Sequence, residues 1–295
     1  MKGGVIIEKQ IFKRINNVLY NYGFWALIKK TLVFMTQVIY YNIWKLSPFK
    51  FCLSFYGVFI KKNYHDNSFK YYLIGQYGKF FSKFLKTQRG ASIFLDIGAN
   101  QGLYSLIALK NPFFTKIFSF EPQSKIYDIL TENIQRNSRT ERCVPMNFAI
   151  SNSSKKGFMR IDEYDSGKSM IKTNENGELI DKAEFSANRR ETLAEWNARY
   201  RWENIELIDG RKLSNFLSLE YGEKIGVKID TETHEPFVLE ALINTNFWQN
   251  VLWIFIEFSR KLDHQKCLDL LSKEGFSIAK KVGTDTHYNL LMKRL

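Results

Sequence analysis

Asp96-Ile97-Gly98-Ala99-Asn100-Gln101-Gly102 places an acid, an amide and two glycines in one short stretch. It follows the apolar run Ile93-Phe94-Leu95 and opens the helix-forming run Leu103–Leu109. A strand, a glycine turn and a helix together can cradle a nucleotide. Glycine lets the backbone turn sharply and approach a ligand, and the helix start offers free N–H groups. The acid at the strand end suits a cationic or hydroxyl-bearing part of that ligand. A dinucleotide fingerprint would need glycine at 98, 100 and 103, but Asn100 and Leu103 stand at the last two.

Twenty-five residues after Asp96, Lys116-Ile-Phe-Ser-Phe-Glu121-Pro122 reads as a second strand ending in an acid. A carboxylate there can accept hydrogen bonds from both ribose hydroxyls. Pro122 stops the strand because it has no N–H for the ladder. A helix is predicted to about Asn137, then a third strand across Arg142–Ile150. The Asp-x-Gly-x-x-x-Gly turn points to S-adenosylmethionine rather than a dinucleotide. The expected cofactor-binding set is Asp96, Gly98, Ala99, Asn100, Gly102, Glu121, Pro122, Gln123 and Ala149.

A further block, Val227-Lys-Ile-Asp230-Thr-Glu232-Thr-His234-Glu235-Pro-Phe-Val-Leu239, lies downstream. With Asp-Ile-Gly-Ala-Asn-x-Gly and Phe-Glu-Pro, it resembles the FkbM-type family of S-adenosylmethionine-dependent methyltransferases. That pattern reads Lys-Ile-Asp-x-Glu-Gly-x-Glu and then Val-Leu. The match is at Lys228, Ile229, Asp230, Glu232, Glu235, Val238 and Leu239, and Thr233 stands where glycine is usual. The resemblance covers roughly residues 90 to 295. It implies a Rossmann-like methyltransferase fold, S-adenosylmethionine as donor, and O-methylation of a sugar in a glycan, polysaccharide or natural product.

A sugar hydroxyl is a poor nucleophile until its proton is removed, and a positioned base contributes about 10²–10⁴-fold. The candidates are Asp230, Glu232 and His234, just after the fourth strand. His234 titrates near neutral pH when unperturbed, though a loop histidine on the surface is the plain alternative. Glu232 and Glu235 could instead cap the next helix. His264 and His287 are weaker candidates. No metal-specific spacing exists, so no metal is expected. No Pro-Pro-aromatic or Pro-Cys signature of base methylation is present. An RNA 2′-O-methyltransferase and a non-catalytic adaptor with the same fold remain the competing readings.

Charge divides the chain. Residues 1–90 hold 13 Lys and 2 Arg against Glu8 and Asp66, which equals the whole net charge of +13. The same segment holds 22 of the 46 aromatic residues. Its longest uncharged runs, Ile15–Ile28 and Thr31–Trp44, fall short of the roughly 20 apolar residues a spanning helix needs. Residues 1–88 are therefore expected to form a mainly helical region. Either it caps the catalytic domain or it lies on an anionic membrane surface, with Trp and Tyr at headgroup level. Nucleic acid is the less favoured partner. Glu8, Lys9, Lys13 and Arg14 interrupt any secretory core, and Cys52, Cys143 and Cys267 form no paired motif. The expectation is a cytoplasmic protein, peripheral on the inner membrane face.

Residues 89–295 are expected to form the α/β domain, a Rossmann-like seven-stranded sheet with helices on both faces. Residues 151–210 read as irregular, with a variable insertion at about 165–205. A helix at Leu213–Tyr221, a strand at Ile225–Asp230, a helix at Pro236–Asn244 and a buried strand at Val251–Phe258 follow. A helix at Lys261–Lys273 and a closing hairpin of Phe276–Val282 and Tyr288–Lys293 complete the prediction. The hairpin ending is methyltransferase-like.

Overall fold

The computed structural model describes residues 2–138, 141–171, 198–219, 222–258, 264–285 and 287–295. Two compact units are present, Met1–Phe49 and Lys50–Leu295. The first is helix α1, Lys2–Leu46. It carries exposed Phe24, Trp25, Phe34, Ile39 and Ile43. No helix among the described residues is long and apolar enough to cross a membrane.

The second unit starts with a two-stranded ribbon, β1 (Phe51–Leu53) and β2 (Phe59–Lys61), and the helices α2 (Asn67–Leu73) and α3 (Lys79–Thr87). Next come β3 (Ile93–Ile97), α4 (Leu103–Ala108), β4 (Lys116–Phe120), α5 (Ser124–Asn137) and β5 (Cys143–Met146). Four shorter or more polar strands follow: β6 (Ala149–Ile150), β7 (Lys155–Asp162), β8 (Met170–Ile171) and β9 (Tyr200–Ile208). The chain then runs α6 (Gly210–Leu217), β10 (Ile225–Ile229), α7 (Glu235–Ile243), β11 (Val251–Phe258), α8 (His264–Lys273), β12 (Phe276–Gly283) and β13 (Tyr288–Arg294).

The main sheet has the order β12-β13-β11-β10-β3-β4-β5. The five strands from β11 to the edge strand β5 are parallel, and β13 and β12 close the other edge antiparallel. Every residue of β3 and β10 is buried, as a parallel strand covered on both faces requires. Helix α4 packs with α3 and α5, whereas α7 packs with α6 and α8. Right-handed crossovers running outward from the centre in both directions put these two groups on opposite faces. The fold is thus the expected Rossmann-like α/β sheet with its hairpin ending.

Three expectations change. The compact unit begins at Lys50 rather than at 89. Phe81 of α3 stacks on Phe255 of β11, with ring centroids 3.8 Å apart, and is fully buried. Asn133 and Asn137 of α5 hold the backbone of β2 through Lys61 N (2.6 Å) and Phe59 N (2.8 Å). Residues 50–88 therefore share the sheet's core. The described residues of 151–210 are also more regular than their polarity suggested. β6, β9, β7 and β8 form a second sheet around Ala149, Met159, Ile161, Ile171, Ile205 and Leu207. The single strand expected at 142–150 divides between the two sheets. Residues 172–197, most of the predicted insertion, lie outside the described residues.

Candidate functional site

The strands β3, β4, β10 and β11 end beside one cavity of about 370 Å³, within the usual range for small-molecule sites. Its walls come from three places. Gly98, Asn100, Glu121, Pro122 and Ala149 form one side; Asp230–Glu232, His234, Glu257 and His287 another; Tyr72, Tyr77 and Asp165–Ser169 a third.

The turn after β3 is held from within. Asp96 is fully buried, and its Oδ2 accepts from Ser105 N (3.0 Å) and Ser105 Oγ (2.6 Å). It anchors the start of α4 and does not line the cavity. Gly98, Asn100 and Gly102 all have positive φ, at 74°, 51° and 89°. A Cβ on Gly98 would lie 1.9 Å from the Asp230 carbonyl oxygen. Glycine is needed there because two strand-end turns meet backbone to backbone, a different reason from the ligand approach inferred from the sequence. Ala99, Gly102 and Gln123, also expected at the cofactor, lie outside the lining.

Glu121 sits at the end of β4. Its Oε2 accepts from Asn100 N and its Oε1 from Gln123 N, both at 2.9 Å. Burial pushes its pKa up to about 7, against the lowering effect of these amides and of Lys228. Each oxygen keeps a second lone pair for a donor in the cavity.

After β10 the site is charged. Lys228 Nζ donates to the Gly98 carbonyl (2.6 Å) and lies 3.4 Å from both Asp96 Oδ1 and Asp230 Oδ2. Burial opposes its charge, but Asp230, Asp96 and Glu257 together raise its pKa. Tyr77 Oη donates to Asp230 Oδ2 at 3.0 Å. Glu232 and Thr233 both adopt positive φ, 49° and 81°. Thr233 occupies the place where the resembling pattern has glycine, so the chain keeps the left-handed turn with a β-branched residue in it. Glu235 Oε1 secures this loop by accepting from Thr231 N, Thr231 Oγ1 and Thr233 N.

His234 is buried rather than a surface histidine. Its Nε2 lies 3.1 Å from Ser151 Oγ, its ring stacks on Phe237, and burial lowers its pKa to about 4. His287, from the turn between β12 and β13, pairs with Glu257 at 2.9 Å. No group of three or more His, Cys, Asp or Glu residues among the described residues is placed to hold a metal ion.

Three features went unassigned in the sequence. The role of Lys228 emerges only from its burial between two acids. Tyr77 belongs to the aromatic region that had been grouped with α1. The Asp165–Ser169 segment comes from the second sheet, in a stretch read as irregular.

No family model matches the sequence. Among curated proteins, the hexuronic acid methyltransferase AglP of Haloferax volcanii is 26% identical over 183 residues, 62% of each chain. The chain thus spans less than two thirds of that relative's length. Solved structures with similar folds include a protein of the NADB-Rossmann superfamily from Streptococcus agalactiae. It has a TM-score of 0.41 and 12% identity, over 74% of this chain and 69% of that one. Another is M. capricolum TrmK in complex with S-adenosyl-homocysteine, with a TM-score of 0.36 and 12% identity over 74% and 68%. A third is the ribosomal protein L11 methylase from Lactobacillus delbrueckii subsp. bulgaricus, with a TM-score of 0.37 and 10% identity over 72% and 76%.

Proposed function

We propose that the chain is an S-adenosylmethionine-dependent O-methyltransferase acting on a sugar hydroxyl, with a hexuronic acid-bearing glycan as the acceptor class. The observation that carries this is Glu121. It is a buried acid at the end of the second parallel strand, held by the amide of Asn100 and facing a cavity at the strand ends. Its oxygens suit ribose hydroxyls. Pro122, Phe148 and Ile150 supply an apolar wall suited to a purine ring. Asp230, Glu232 and Glu257 give the other end a negative character that suits a sulfonium. When bound, the cofactor supplies an electrophilic methyl group. The residues of the chain hold both reactants in line and exclude water. The curated relative supports the hexuronic acid class.

Labelled methyl transfer from S-adenosylmethionine to methyl β-glucuronide tests this. A hexuronic acid offers both a carboxylate and hydroxyls, and the products differ chemically. Hydroxyl transfer gives an ether that survives mild alkali, whereas a carboxylate gives an ester that does not. Alkali-stable label is expected; alkali-labile label would shift the reaction to the carboxylate.

For α1 we propose an anionic membrane surface as partner. The helix exposes Phe24, Trp25, Phe34, Ile39 and Ile43 beside Lys29, Lys30 and Lys45. Aromatic insertion plus about 1 kcal/mol per basic residue near the lipid supports that reading. Full-length protein should float with phosphatidylserine vesicles and lose flotation on combined Trp25→Glu and Phe34→Glu substitution. Equal flotation of both proteins would count against it.

A further inference from the structure

We infer that His287, held by Glu257, is the base that takes the proton from the acceptor hydroxyl. The inference rests on the methyltransferase reading above and adds a residue to it. His287 and Glu257 both line the cavity that holds Asp230 and the Gly98 turn. The pair is 2.9 Å apart, between Nε2 and Oε1. A carboxylate on one imidazole nitrogen fixes the proton there and leaves the other nitrogen, Nδ1, to accept one.

The fold fixes this geometry. β11 and β13 pair antiparallel with Glu257 opposite Asn289, which brings residue 287 to the end of the same ladder. The turn is closed by Thr284 N donating to the His287 carbonyl (2.8 Å) and His287 N donating to Thr284 Oγ1 (3.2 Å). Gly283, at φ 132°, lies so close that a Cβ there would be 2.5 Å from the His287 carbonyl oxygen. His287 is also half-exposed, with 55% of its side chain accessible, so a captured proton has a path to water.

The other candidates are already engaged. His234 is 2% exposed, with its Nε2 against Ser151 Oγ. Asp230 Oδ2 accepts from Tyr77 and faces Lys228. Glu235 secures the loop amides. Glu232 is a carboxylate, about two pKa units less basic than an imidazole in ordinary surroundings.

In the step, the acceptor oxygen forms a bond to the methyl carbon as the carbon–sulfur bond breaks. The bonding pair passes to sulfur, which becomes a neutral thioether. The hydroxyl proton goes to His287 Nδ1 and then to solvent. The Glu257 hydrogen bond raises the His287 pKa above 6.5; partial burial opposes this, while Glu257, Glu232 and Asp230 add to it. Among the described residues, Lys228, Tyr77 and Tyr104 are also in electrostatic reach of Glu257. Only neutral imidazole accepts a proton, so kcat should rise with pH through a value above 6.5.

The test uses full-length protein, S-adenosylmethionine and methyl β-glucuronide. His287→Asn should lower kcat by about 10²–10⁴-fold. KM and the S-adenosylhomocysteine Kd should stay within about threefold, against the same scale for a base acting only in the chemical step. Glu257→Gln should move the acid limb of the kcat profile to lower pH, which a packing role would not do. A parallel arm follows the His287 imidazole nitrogen resonances in S-adenosylhomocysteine-loaded protein as the glucuronide is added, and a shift is expected. Undiminished kcat in His287→Asn, a large loss confined to His234→Asn, or an unmoved imidazole would overturn the assignment. Wild type that binds no S-adenosylhomocysteine would instead overturn the reading beneath it.

Discussion

The turn after β3 and the loop after β10 sit side by side at the ends of adjacent parallel strands, yet they are built in opposite ways. In the first, left-handed backbone falls on two glycines and an asparagine, and Asp96 is spent on anchoring α4. In the second, left-handed backbone falls on Glu232 and Thr233, and acidic side chains face the cavity. The first turn presents a shape made of backbone. The second presents charge and carries local strain, as reactive sites often do. The cofactor site proposed above draws on both, with the backbone shape of the first turn and the acids of the second at its sulfonium end.

The sharpest way to break the comparison is Gly98→Val. The added atoms meet the Asp230 carbonyl and the φ of 74° is hostile to a β-branched residue. A loss of about 4 kcal/mol or more is expected, measured by urea unfolding. A folded variant of near wild-type stability would mean that the two turns do not meet as described.

Next is pH. Burial raises the pKa of Glu121 and of Glu235 to about 7. Both exceed the ordinary carboxylate value of about 4.3, so the folded state binds more protons than the unfolded one between those limits. Stability should therefore fall as pH rises from about 4.5 through 7, by up to roughly 3 kcal/mol per group. Glu121→Gln should remove one part of that slope and Glu235→Gln the other. An unchanged slope in both variants would show that these acids are not protonated on folding.

The smallest effect separates the strained loop from the relaxed turn. Thr233→Gly relieves a β-branched residue at φ 81° and should raise stability by about 1 kcal/mol, less the entropy glycine adds to the unfolded chain. A clear loss of stability would point to contacts of Thr233 that outweigh the strain.

The inner strands were legible because buried parallel strands are continuous apolar runs, as in Ile93–Leu95 and Val251–Phe258. Glu121 was legible because an acid followed by proline at a strand end is a local signal. The second sheet was not. β7 reads Lys-Lys-Gly-Phe-Met-Arg-Ile-Asp, with three of its eight residues exposed, so its pattern resembles a loop. The Glu257–His287 pair was hidden for a different reason. Thirty residues separate its members, and only the β11–β13 register joins them. Whether His234 is a site residue or a surface loop histidine could not be read locally, because only the fold brings Ser151 to it and lays Phe237 against its ring. The boundary at 88 failed because aromatic composition is shared by α1 and by α3, whose Phe81 is core.

The central claim is that Glu121 and the Gly98 turn form a cofactor site. Calorimetric titration of wild type and Glu121→Ala with S-adenosylhomocysteine tests it most directly. Wild type should bind one equivalent. Glu121→Ala should bind at least about tenfold more weakly, the cost of losing one charge-assisted hydrogen bond, while keeping a cooperative unfolding transition. Equal binding by both proteins, or none by the folded wild type, would contradict the account.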